Sequence, residues 1–197
     1  MFARVTLSDV IPDSSSTWTL TRDQADAGWR SMSLLARLVQ RGGHPAPVRP
    51  TVALGADEEQ YGAFLVDVLA YHSADVDYSS SIFASGGLFF TGSGTAARSG
   101  WRGEGRQAAT ITSQRLLLGE GDRQRAYDFR SLILIQPNPL DWSANLYFQG
   151  AQPLMLRGPW VPWMTVVMSA ELYGTPWPPG HLPDTELPIK ASCEKAR

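Results

Sequence analysis

One cysteine, Cys193, stands in the whole chain. A lone cysteine forms no internal disulfide, so the sequence fits a reducing compartment. Histidine is nearly as scarce: His44, His72 and His181 are all there are, and two of them stand in proline-rich segments. No Gly-x-Ser-x-Gly elbow, His-Glu-x-x-His pair or P-loop occurs. Cys193 has no evident activating neighbour. The sequence therefore names no catalytic residue, and acid–base chemistry from scattered side chains is the route left open to an enzyme. No apolar run is long enough to span a bilayer. The start, Met1-Phe2-Ala3-Arg4 followed by Asp9, Asp13 and a serine run, lacks the pattern of a signal peptide. These absences predict a cytoplasmic protein. Excess positive charge is missing too: 17 Lys and Arg face 19 Asp and Glu, for a net charge of −2. No global field draws nucleic acid or anionic lipid, and either would need a local basic patch. Nothing in the composition asks for a cofactor.

What is present is a chain of 197 residues, 43% hydrophobic, long enough to bury a core without staples. Its 18 glycines and 14 prolines suit short strands joined by turns. Residues 1–20 read as an extended arm. Thr21 and Gln24 then have the spacing of a capping box. Trp29, Met32, Leu35, Ala36 and Val39 recur at three- and four-residue steps, the apolar face of an amphipathic helix. Gly42-Gly43 ends it, and three prolines between His44 and Pro50 make a stiff linker. Residues 1–50 thus form an arm, a helix and a linker, with the helix either a separate appendage or docked on the domain C-terminal to it.

Residues 51–174 form the main domain, and 175–197 a Pro-rich polar tail predicted to lie loosely on the surface. Phe64 to Tyr71 is apolar and β-prone and reads as a strand, although its length also permits a helix. Ser81 to Thr91 reads as a strand pair or a bent strand, and Gly92 to Gly105 as a loop. Ala109 to Leu118, Arg125 to Phe129, Ser131 to Gln136, Trp142 to Phe148 and Leu154 to Arg157 read as strands separated by turns. In the fourth of these Trp142, Ala144, Leu146 and Phe148 share one face. Pro162 opens a final helix, with Trp163, Val166, Val167, Ala170 and Tyr173 as its apolar stripe and Gly174 as its stop.

The segment Ile111-Thr112-Ser113-Gln114-Arg115-Leu116 carries an "apolar-Thr-x-x-Arg-Leu" pattern. It is followed by a turn, the apolar run Ser131 to Ile135, the hairpin Asn145–Leu156 and the helix Pro162 to Tyr173. In this order the chain resembles bacterial PH-like and GRAM-like domains over 109–174, extending to 51–174. The resemblance implies a mainly β (α+β) fold: a PH-like bent antiparallel sheet or small barrel capped by a C-terminal helix, here with an N-terminal helical appendage. Domains of this kind bind phosphoinositides, peptides or other proteins, or scaffold, and the fold does not choose among these.

The candidate surface lies between Thr91 and Arg106. Gly92-Ser93-Gly94 has the glycines of a dinucleotide loop, but Gly100, Gly103 and Gly105 forbid the helix such a loop must open. Arg98, Arg102 and Arg106 with Trp101 instead suit an acidic protein partner or an anionic headgroup; the plainer reading is a solvated loop. His72, Asp75 and Asp77 lie close in sequence but lack the spacing of a metal motif, and Tyr71, His72 and Asp75 mark an alternative small-molecule or enzymatic pocket. Trp160, Trp163, Tyr173 and Trp177 read as core and rim packing, or as an aromatic ledge for a partner. A self-associating structural subunit is the third reading, through residues 25–41 if Trp29, Met32 and Leu35 are exposed. Asn145 to Gly150 matches most of the recognition sequence of the potyviral protease used to remove purification tags, with Ala144 where that enzyme prefers Glu. The leading expectation is a non-enzymatic module that recognises a protein, with no nucleic acid and no transmembrane segment.

Overall fold

The computed structural model describes residues 20–72 and 100–179. The first element, α1 (Arg22–Gln40), forms where the apolar spacing places it. The Gln24 N–H donates to Thr21 Oγ1 (3.3 Å) and the Thr21 N–H donates to Gln24 Oε1 (3.2 Å), closing the capping box. At the other end Gly42 takes φ 78°, the left-handed conformation that favours glycine. Its N–H bonds the Val39 carbonyl and that of Gly43 the Leu38 carbonyl, at 2.9 and 3.0 Å. Both ends of the helix are satisfied by its own flanking residues.

Seven strands come next: β1 (Gln60–His72), β2 (Gly100–Thr112), β3 (Arg115–Leu118), β4 (Arg125–Asp128), β5 (Leu132–Asn138), β6 (Ser143–Phe148) and β7 (Leu154–Arg157). They form one antiparallel sheet in the order β4-β3-β2-β1-β7-β6-β5. β1 is its spine, paired with β2 along its length and with β7 over Asp67–Ala70. The sheet is open, with β4 and β5 as its edges, yet only Phe129–Ser131 joins those two edges. Four peptide steps reach about 14 Å, whereas a flat sheet of this size is about 29 Å from edge strand to edge strand. The sheet must therefore bend round on itself. Across the seam, Tyr127 of β4 meets Phe148 of β6 with ring centroids 5.1 Å apart.

The last element is α2 (Val161–Tyr173), with Pro162 in its first turn and Gly174 at φ 65° as its stop. Its burial exceeds the predicted stripe: Met164, Thr165, Met168 and Ser169 are buried as well. A helix buried on all sides needs cover on all sides. β5 and β6 supply part of it and α1 the rest. Met32, Leu35, Ala36 and Val39 of α1 belong to the same core as Ile135, Leu146, Leu156 and Val167. The N-terminal helix is an appendage in sequence but docks on the domain in space. Its Met32 and Leu35 are thereby buried within the chain rather than exposed.

Two sequence expectations need correction. The predicted loop does not run to Gly105, because β2 begins at Gly100. Its partner is distant in sequence: β1 supplies a full antiparallel ladder, and glycine weakens such a ladder without forbidding it. The strain of the segment appears instead as a bulge. Gly105 opposes Val68 and Gly103 opposes Leu69, so Glu104 is the extra residue, and Gly105 takes φ 84°. The start of the tail, 175–179, is also held more closely than expected, and 180–197 lie outside the described residues. Pro176 and Pro178 are buried and Trp177 packs against the core, because the apolar end of α2 continues to need cover. The expected strands over 81–91 and the loop over 92–99 lie outside the described residues.

Candidate functional site

The Thr-x-x-Arg pattern has a structural role that the sequence does not reveal. Thr112 and Arg115 flank the turn from β2 to β3, and both reach Glu58 in the segment before β1. Arg115 Nε donates to Glu58 Oε1 (2.8 Å) and a terminal guanidinium nitrogen to Oε2 (2.9 Å), a two-pronged pairing. Thr112 Oγ1 donates to Oε1 and the Gly55 N–H to Oε2, both at 2.7 Å. Burial pushes the Glu58 carboxyl up, but the bonds from Arg115, Gly55 and Thr112 outweigh it and hold the group below its ordinary value. The pairing pins residues 53–58 across the β2–β3 turn. Every acceptor of Glu58 is engaged, so the cluster serves the fold rather than a ligand.

The predicted arginine surface lies at the other end of β2. Trp101 opposes Tyr71, and their rings meet edge-on at 5.4 Å. Arg102 opposes Ala70, in the core-facing row with Val66 and Val68, whereas Arg106 opposes Asp67 in the other row. Residues four apart on a regular strand share a face. The bulge at Glu104 adds one residue and turns Arg102 and Arg106 to opposite faces. The structure thus brings Trp101 and Arg106 to one face and sets Arg102 apart, while Arg98 lies outside the described residues. Asp67 also opposes Arg157 of β7, so this carboxylate stands in register between two arginines.

β3 pairs with β2 only over Ala109–Ile111. The first half of β2 projects beyond it, and the step so formed is an open depression of about 680 Å³. Leu65 and Ala108 are its apolar lining, and Arg106, Arg123 and Arg125 reach it from β2, the β3–β4 turn and β4. Arg125 donates to both carboxylate oxygens of Glu104, and Gln107 donates to Glu104 Oε2 and accepts from Arg125. Arg125 draws the Glu104 carboxyl below its ordinary value against the opposing effect of burial, and Glu104 raises Arg125 in return. Arg125 is therefore matched. Arg106 and Arg123 make no ion pair among the described residues. Leu65, 54% exposed in the middle of a strand, is an apolar side chain in the same lining that no described residue covers.

The remaining candidates resolve differently. Tyr71 and His72 end β1, but Asp75 and Asp77 lie outside the described residues, as do His181 and Cys193. Among the described residues no three His, Cys, Asp or Glu side chains are placed to hold a metal ion. Phe64 stacks on Trp160 (5.1 Å) and meets Trp163 edge-on (5.3 Å), and Trp163, Tyr173 and Trp177 pack against the core. No helix among the described residues is long and apolar enough to cross a membrane. No family model matches this sequence, and no curated protein matches it.

Proposed function

We propose that the chain is a non-enzymatic cytoplasmic module that recognises a protein partner at the step between β2 and the β3–β4 turn. The observation that carries this reading is the exposed Leu65 in a depression whose walls present two guanidinium groups, Arg106 and Arg123, that make no ion pair among the described residues. An apolar centre inside a charged rim is the anatomy of a protein-binding patch. The bent sheet with its C-terminal helix supports the resemblance to PH-like and GRAM-like domains, which recognise proteins as well as lipids. Anionic lipid is the weaker reading here. Glu104 and Glu120 share the depression with its arginines, and the charge of the site nearly cancels.

A photo-crosslinking residue in place of Leu65 tests the proposal in lysate of the native host, with adducts identified by mass spectrometry. One dominant protein adduct that disappears in R106E/R123E is the expected result. Adducts absent or indifferent to those two charges overturn the assignment of the site. Co-sedimentation of the chain with phosphatidylserine vesicles, abolished by the same double substitution, transfers the site to lipid.

A further inference from the structure

α1 is joined to the domain by side chains and a tether. Among the described residues its backbone hydrogen bonds, caps included, close within 21–43. What seats it is packing: Met32, Leu35, Ala36 and Val39 enter the core, and Trp29 meets Trp142 edge-on at 6.3 Å. Beneath it lies α2, whose residues from Val161 to Ala170 are all buried except Trp163. The seat is also selective. A Cβ built on Gly28 runs into the Pro159 carbonyl oxygen and stands 3.2 Å from the Trp142 ring. A helix in this seat therefore needs glycine at that position, with apolar residues four, seven, eight and eleven places later, as Met32, Leu35, Ala36 and Val39 are. An arbitrary amphipathic helix seldom meets that pattern in register. The α1 of another copy meets it by identity.

The tether between helix and domain is six residues long. It leaves the C-cap Arg41, buries Pro45 on its way, and is next hydrogen-bonded where the Val48 N–H meets the Gln60 carbonyl (2.7 Å). The residues between are Gly42-Gly43-His44-Pro45-Ala46-Pro47. Seven extended steps span about 24 Å. The glycine pair makes the turn back onto the domain, and the prolines favour an extended course. We propose that two copies of this chain associate by exchanging α1, each helix occupying the seat of the other in a closed two-fold pair. The partner this surface fits is a second copy, and the proposal is independent of the ligand assigned to the β2 step.

Deletion of residues 43–46 removes the turn, with the Gly43 cap bond and the buried Pro45, while leaving the apolar residues of helix and seat in place. The expected product is a dimer by size exclusion with light scattering, with unchanged helix content and no binding of an apolar dye. Four Gly-Ser residues in the gap should restore the monomer. The intact chain offers a second measurement: unfolding in urea and refolding at about 1 mM and about 1 µM, where mass action favours exchange only at the higher concentration. At least a tenfold larger dimer fraction is expected there, lost in Gly28→Leu, which cannot seat in either copy. A folded deletion variant that remains monomeric overturns the proposal. If that variant does not fold, monomer alone after refolding at the higher concentration overturns it.

Discussion

Replacing Arg115 with Met should reveal how much of the fold hangs on the pin at Glu58. The substitution keeps the aliphatic stem and removes the guanidinium, leaving a carboxylate whose side chain is only 2% exposed with Thr112 and Gly55 as its donors. Breaking a fully buried pair costs about 3–5 kcal/mol. The Arg115 side chain keeps 32% exposure, so the loss should be lower, about 2–3 kcal/mol at pH 7. Removing both charges in E58Q/R115M should cost less than the two single losses added together, since no uncompensated carboxylate remains. The pH dependence has a definite sign. Glu58 is lowered from 4.5 in the folded chain, so its contribution is full above that value and disappears as pH falls through the lower, folded value. In R115M, burial acts without the guanidinium and the carboxyl rises. The deficit of the variant should therefore shrink between pH 7 and pH 4. Urea unfolding followed by tryptophan fluorescence measures each quantity. Additive single losses, or a deficit for R115M that is the same at both pH values, would refute the pin.

Gly105 should tolerate substitution according to backbone preference alone, because a Cβ there meets nothing within 4 Å while φ is 84°. Gly105→Val should lose about 1–2 kcal/mol, and Gly105→Asn less than half of that; equal losses in urea unfolding would mean that the bulge is not what holds this glycine. The segment Asn145–Gly150 should resist the potyviral protease in the folded chain despite its match. Leu146 and Phe148 are buried, and β6 is hydrogen-bonded on both sides. Cleavage should track the unfolded fraction as urea is raised, and cutting of the native chain at the rate of the free peptide would show that β6 leaves the sheet.

The elements legible in the sequence are those whose cause is local. The caps of α1 are three-residue relations between Thr21 and Gln24 and a glycine pair past the end, and the structure realises both. In β6 the alternation of Ala144, Leu146 and Phe148 comes from one buried face, whatever covers it. Misreadings arise where a distant partner decides. Nothing within Gly100–Arg106 asks for a strand; β1 imposes one, and the bulge that accommodates the glycines is what separates Arg102 from Arg106. The spacing that grouped those arginines assumed an uninterrupted period. For α2, Thr165 and Ser169 look like its polar side, yet both are fully buried. Thr165 bonds the Val161 carbonyl at 2.9 Å, so its hydroxyl is satisfied within the helix.

The same division governs the candidate site. Arg106 was legible as a basic residue beside a tryptophan, but Leu65, Ala108 and Arg123 were not, because they meet only where β3 ends and β2 continues. A strand that outruns its neighbour leaves a step, and a step exposes side chains that the period assigns to the middle of a sheet. Glu58 was missed for a related reason. It lies 54 residues before Thr112 and 57 before Arg115, in Asp57-Glu58-Glu59, which reads as a turn or a first helical turn. Half of that cluster is visible as Thr-x-x-Arg, and its buried acceptor is not. For a chain of this kind, an arginine in a strand-turn motif without a local carboxylate is reason to look for a distant one. Arginines that have found theirs, as Arg115 and Arg125 have, hold the fold, whereas Arg106 and Arg123 make no ion pair among the described residues.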